Sequence, residues 1–96
     1  MYWYYGTFTK SDFAPASCLK IAKDSFGRRN LNVFLPSEGY TTIGGTVDCS
    51  VIVQVTCVPQ NVDTWVVVTA FSDDDNLAQA MKNNVQSDIQ AGRRID

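Results

Sequence analysis

The sequence contains no histidine. That absence removes the usual imidazole general base, the Ser-His and Cys-His nucleophile pairs, and every zinc site that needs a histidine ligand. Cysteine is scarce too. The three present, Cys18, Cys49 and Cys57, show no C-x-x-C spacing, which excludes a thioredoxin-like motif and a four-cysteine zinc site. Charged residues make up 19% of the chain and the net charge is −2, so phosphate-driven binding to nucleic acid gains no support. No apolar run approaches the ~20 residues of a membrane span; the longest, CSVIVQVTCV, is interrupted by Gln54 and Thr56. No basic segment followed by an apolar one comes after Met1. Localisation therefore stays open between a cytoplasmic protein and an exported one whose leader was removed.

What is there suits one modest core. With 96 residues, 45% of them apolar, the expectation is a single domain over 1–96. Tyr2 to Thr9 reads as a strand, rich in aromatic and β-branched residues. Ser11 and Asp12 offer an N-cap with Pro15 in the first turn, and Ala14, Cys18, Leu19, Ala22 and Phe26 recur at helical spacing. Gly27 is expected to stop that helix in the left-handed conformation, with Arg28 and Arg29 complementing its C-terminal dipole. Leu31 to Leu35 and Tyr40 to Ile43 suit short strands around a turn at Glu38-Gly39, and Gly44 and Gly45 suggest a bend or bulge. Cys49 to Val58 and Thr64 to Phe71 alternate cleanly and predict an antiparallel hairpin across the loop PQNVD. Ser72, with Asp75 in a capping-box arrangement, then opens a helix carrying Leu77, Ala78, Met81, Val85 and Ile89 on its apolar stripe and Lys82, Asn83, Gln86 and Asp88 outside it, closed by Gly92 and followed by Arg93 and Arg94.

Two helices and one sheet imply an α+β two-layer sandwich: both helices on one face of a mainly antiparallel sheet of four or five strands, in the order β-α-β-β-β-α. The small Val66, Val68 and Ala70 suit the helix-facing side, together with Val51, Val53, Val55 and Cys57. The other face then carries Trp65, Thr69, Phe71, Ile52, Gln54 and Thr56. The opening MYWYYGTFTK sharpens the point. Alternation sends Trp3 and Tyr5 one way and Tyr2, Tyr4 and Phe8 the other, with Gly6 making room for a neighbour, so one of the two sets joins Trp65 and Phe71 on the uncovered face. Trp3, Tyr5, Trp65, Thr69, Phe71 and Gln54 are accordingly the expected contact surface.

Weaker candidates each have a plainer explanation. YGTF echoes an RNA-recognition aromatic motif, but the flanking basic residue and any positive field are missing. The acidic run SDDDN lacks the spacing, turn glycine and bidentate Glu of a calcium loop and suits a helix N-terminus instead, so no metal is expected. The arginine pairs at 28–29 and 93–94 are more simply dipole partners than an anion site. Cys18 and Cys57 both face the helix–sheet layer and are either bridged or a pair of buried thiols acting as small hydrophobes.

The segment IGGTVDCSVIVQVTCVPQNVDTWVVVTAFSDDD, with the upstream helix that carries Cys18 and ends Phe-Gly, resembles small uncharacterised exported bacterial α+β proteins. The shared residues are fold-forming and bring no active site. The resemblance implies an exported location and a Cys18–Cys57 bridge; Cys49 is then an extra thiol that an oxidising compartment disfavours.

The functional expectation is a non-enzymatic domain without cofactor, whose aromatic sheet face makes a homodimer or binds a protein partner. The alternative is a small-ligand carrier with an apolar pocket between sheet and helices.

Overall fold

The computed structural model describes residues 1–11 and 13–92. Seven elements follow in order: β1 (Tyr2–Lys10), α1 (Pro15–Arg28), β2 (Asn32–Glu38), β3 (Thr41–Gly45), β4 (Val51–Gln60), β5 (Asp63–Ser72) and α2 (Asp75–Ala91). The strands form one antiparallel sheet ordered β1-β5-β4-β3-β2, with α1 and α2 against the same face. The α+β class and two-layer arrangement are those expected. The five strands are the larger of the two numbers expected. The order has one strand more between the helices than β-α-β-β-β-α, because the segment around Tyr40 to Ile43 forms a full strand, Thr41–Gly45, that pairs with Asn32–Glu38 as a hairpin. Among the described residues no helix is long and apolar enough to cross a membrane.

Strand alternation builds the core. Val51, Val53, Val55 and Cys57 of β4, and Val66, Val68 and Ala70 of β5, all point at the helices and are fully or almost fully buried. Cys18, Ala22 and Phe26 of α1 and Ala78, Val85 and Ile89 of α2 meet them with no accessible surface. Each fully buried side chain of the Val, Ile or Phe class stabilises the fold by roughly 1.5–3 kcal/mol, offset by the entropy of ordering the chain. Small residues set how closely the layers approach. A Cβ on Gly44 would lie 2.6 Å from the Phe26 ring, and one on Gly92 would lie 2.7 Å from Ile21. Cys18 and Cys57 are joined by a disulfide that ties α1 to β4, with Cα atoms 6.2 Å apart.

Several local signals resolve differently from the sequence expectation. The first helix runs past Gly27 to Arg28, and Asn30 (φ 60°) supplies the left-handed residue. Leu31 N–H donates to the Phe26 carbonyl at 2.8 Å and Asn30 N–H to that of Gly27 at 3.3 Å, so the stop falls where Leu31 can pack beside Phe26. At the other end, among the described residues, no side chain caps α1: Ala14 holds the N-cap position, and Asp12 lies outside the described residues. The preceding segment is anchored from a distance instead. Phe13 N–H donates to the Val62 carbonyl at 3.0 Å, and the buried Thr64 hydroxyl donates to the Phe13 carbonyl.

The second helix is capped by Asp74, which accepts from Leu77 N–H at 3.0 Å; Ser72 Oγ accepts from Asp74 N–H one step earlier. Asp74 takes the place expected for Ser72 because Ser72 is still the last residue of β5 and the helix begins at Asp75; the Asp74 carboxylate also favours the positive end of the helix dipole. Leu77, expected on the apolar stripe, is 38% exposed, whereas Asp88, expected outside, is held between the helices. Gly44 and Gly45 are regular members of β3; the irregularities lie opposite, in β2, between Val33 and Leu35 and between Leu35 and Glu38. The PQNVD loop tightens to a turn at Asn61 (φ 54°) and Val62 as β4 and β5 pair from Val51↔Ser72 to Gln60↔Asp63. Arg93 and Arg94 lie outside the described residues.

Candidate functional site

The sheet face away from the helices is assembled from cross-strand rows. Trp3, Phe71, Ile52 and Gly45 form the first; Tyr5, Thr69, Gln54 and Ile43 the second; Thr7, Val67, Thr56 and Thr41 the third; Thr9, Trp65 and Val58 the last. Every sequence-predicted contact residue is among them. Trp3 and Tyr5 share this face with Trp65, Thr69, Phe71 and Gln54, while Tyr2, Tyr4 and Phe8 take the helix-facing side. The choice follows from the β1–β5 register, in which Gly6 opposes Val68 and lies beneath the Gln86 amide of α2. Trp3 at 58%, Tyr5 at 61% and Trp65 at 38% keep much of their surface in solvent; Phe71, Thr69 and Gln54 are half-buried by their neighbours.

Across β1, β5, β4 and β3 these rows contain no charged residue; on the edge strand β2 they continue in register to Asn32, Leu35 and the charged Glu38, which opposes Thr41. On those four strands their polar members are threonines and one glutamine, and Thr41 and Thr56 satisfy one another across the strands at 3.0 Å. Trp3 and Tyr5 stack along β1, with ring centroids 5.6 Å apart and planes 21° from parallel. From β1 to β3 the resulting surface is uncharged and mixes aromatic and β-branched side chains with threonine hydroxyls and the Gln54 amide.

Phe34 is a contributor that strand alternation alone did not reveal. Its ring lies over Gly45, where an added Cβ would come within 2.6 Å, so Phe34 fills the gap left in the first row and is 46% exposed. The signal was present as a bare glycine beside an aromatic strand, but the β2 irregularity that turns Phe34 onto this face is not legible in the sequence.

Elsewhere, several polar groups hold the fold together. Asp88 joins the helices: it accepts from the buried Ser25 hydroxyl at 2.6 Å and from Arg29 Nε and guanidinium at 3.0 and 2.8 Å. Burial pushes the Asp88 carboxyl up, but the bonds from Arg29 and Ser25 and the arginine charges outweigh it and leave it below the usual range. The acidic run at the start of α2 is dispersed. Asp74 caps the helix, and Asp75 accepts the Tyr4 hydroxyl, which raises the Tyr4 phenol. Among the described residues, no group of three or more His, Cys, Asp or Glu could hold a metal.

In the loop between β3 and β4, Asp48 lies below its usual range because Ser50 N–H and the Thr46 hydroxyl donate to it. Cys49, exposed and with φ 58°, sits at the tip of that loop as a free thiol. The space between sheet and helices, where a ligand pocket was the alternative expectation, is occupied by Phe26, Ile89, Val53, Val55, Val66 and Val68, all without accessible surface. No family model matches this chain, and no curated protein matches it.

Proposed function

We propose that this chain is a non-enzymatic self-association module whose partner is a second copy, packed sheet against sheet across a two-fold axis. The observation that supports it is the uncovered face itself: Trp3, Tyr5, Trp65 and Phe34 stand partly in water in and beside rows that hold no charge from β1 to β3, Glu38 of β2 lying at the far edge. Charge depletion with aromatic enrichment is the composition of interface centres. The size fits as well. Five strands about 4.8 Å apart and eight residues of about 3.4 Å give roughly 600 Å² per copy, near the lower end of standard interfaces. Facing sheets stack about 10 Å apart, close enough for tryptophan and tyrosine rings to interdigitate.

Sedimentation across a range of concentrations tests the proposal. The expected result is a concentration-dependent dimer that Trp65→Lys weakens by about 2 kcal/mol, roughly 30-fold in Kd, with an unchanged far-ultraviolet circular dichroism spectrum. A strict monomer at millimolar concentration would sink it.

A further inference from the structure

The two edges of the sheet are built differently. β2 carries Pro36, which has no N–H to offer, and its register slips twice within seven residues. Such irregularity and proline are the usual protections of an edge strand. β1 has neither. It pairs with β5 over nine consecutive residues without a slip, contains no proline, and has no charged side chain before Lys10. Among the described residues, β1 has no strand on its outer side and no backbone hydrogen bond to an element other than β5. Alternate N–H and C=O groups along a strand point to opposite sides, so half of those of β1 face outward.

The geometry points to the outer edge of β1 as a strand-pairing site for β1 of a second copy, antiparallel about a two-fold axis normal to the sheet at Gly6. Three observations select this occupant and register. Opposed residues must face the same side of the sheet, so their numbers sum to an even value; a sum of twelve centres on Gly6 and uses the whole of β1. In that register Tyr4 opposes Phe8 of the second copy, Tyr5 opposes Thr7, Trp3 opposes Thr9 and Tyr2 opposes Lys10. Aromatic and β-branched partners meet, and no like charges are opposed. Finally, α2 packs on both β1 and β5, so its axis lies about half a strand spacing inside the edge. The two α2 helices would run roughly 10 Å apart, the separation at which helices pack.

This edge contact is independent of the face contact proposed above. Its axis is normal to the sheet, whereas that of a face-to-face dimer runs parallel to the two sheets and midway between them, so one chain can make both.

Amide hydrogen exchange along β1, followed by NMR in dilute and concentrated samples, tests it. The expected result is at least tenfold slower exchange at alternate β1 amides on concentration. In a Cys49→Ser background, oxidation of an equal mixture of Tyr5→Cys and Thr7→Cys chains should give the mixed dimer. Each variant alone should give little, because its thiols are then diagonal rather than opposed. A sedimenting dimer whose outward β1 amides still exchange as unpaired groups overturns the edge contact and leaves the face contact standing. Protected β1 amides together with a dimer indifferent to Trp65→Lys do the reverse. Mixed chains that fail to cross-link overturn the Gly6-centred register.

Discussion

Opening the Cys18–Cys57 bridge should cost this fold about as much stability as removing a large core side chain. The bridge spans 39 residues of sequence, and in the chain-entropy model closing such a loop removes about 13 cal/mol/K from the unfolded ensemble, or about 4 kcal/mol at 25 °C. Scaled by about 2.1 cal/mol/K per residue over 96 residues, the unfolding entropy is about 0.2 kcal/mol/K, so Tm should fall by roughly 20 °C. Reduction is the cleaner perturbation, because Cys18→Ala with Cys57→Ala also removes two sulfurs from sites with no accessible surface. The assay is thermal unfolding by circular dichroism with and without reductant, preceded by thiol counting in denaturant. Counting should find one thiol, that of Cys49, without reductant and three with it. Three thiols without reductant would show that no bridge forms. One thiol with a Tm shift below about 5 °C would refute the loop-closure reasoning itself.

Phe26→Ala removes a ring with no accessible surface from between α1 and Gly44, and chemical denaturation should show a loss of about 3–5 kcal/mol. Gly44→Ala attacks the same contact from the other side; a methyl 2.6 Å from that ring should cost about 1–3 kcal/mol with the fold retained. Asp88→Asn should destabilise by about 1 kcal/mol at neutral pH, a figure already reduced for the partial exposure of Arg29. The Asp88 carboxyl is depressed in the folded state, so its contribution is present above about pH 4, the unfolded value, and is lost as pH falls through the folded one. Urea unfolding of the parent and Asp88→Asn between pH 7 and pH 2 should therefore converge at the acid end, and a gap that widens on acidification would contradict the clamp.

Period-two alternation was enough to place Val51, Val53, Val55 and Cys57 with Val66, Val68 and Ala70 on the buried side, because a strand buried on one face must send every second residue inward. Two helical stripes and no third helix were enough to leave the opposite face bare. The helix stops were less legible. Gly27 carried the local signal, but the chain turns at Asn30 because Leu31 and Phe26 must both enter the core, a contact made between packed layers. Ser72 and Asp74 were both competent caps, and the position at which α2 leaves β5 selected Asp74. Asp88 read as an exposed helix residue until Ser25 and Arg29 arrived from the other helix.

Composition and alternation by themselves determined that this chain makes a one-sided α+β sheet with more aromatic rings than its core can hold. Tertiary structure alone decided which rings those are. The side of β1 that faces out depends on its register with β5, some sixty residues away, and its place at the edge depends on strand order. Neither is encoded in β1 itself, because an isolated alternating strand is equally well satisfied by presenting either face.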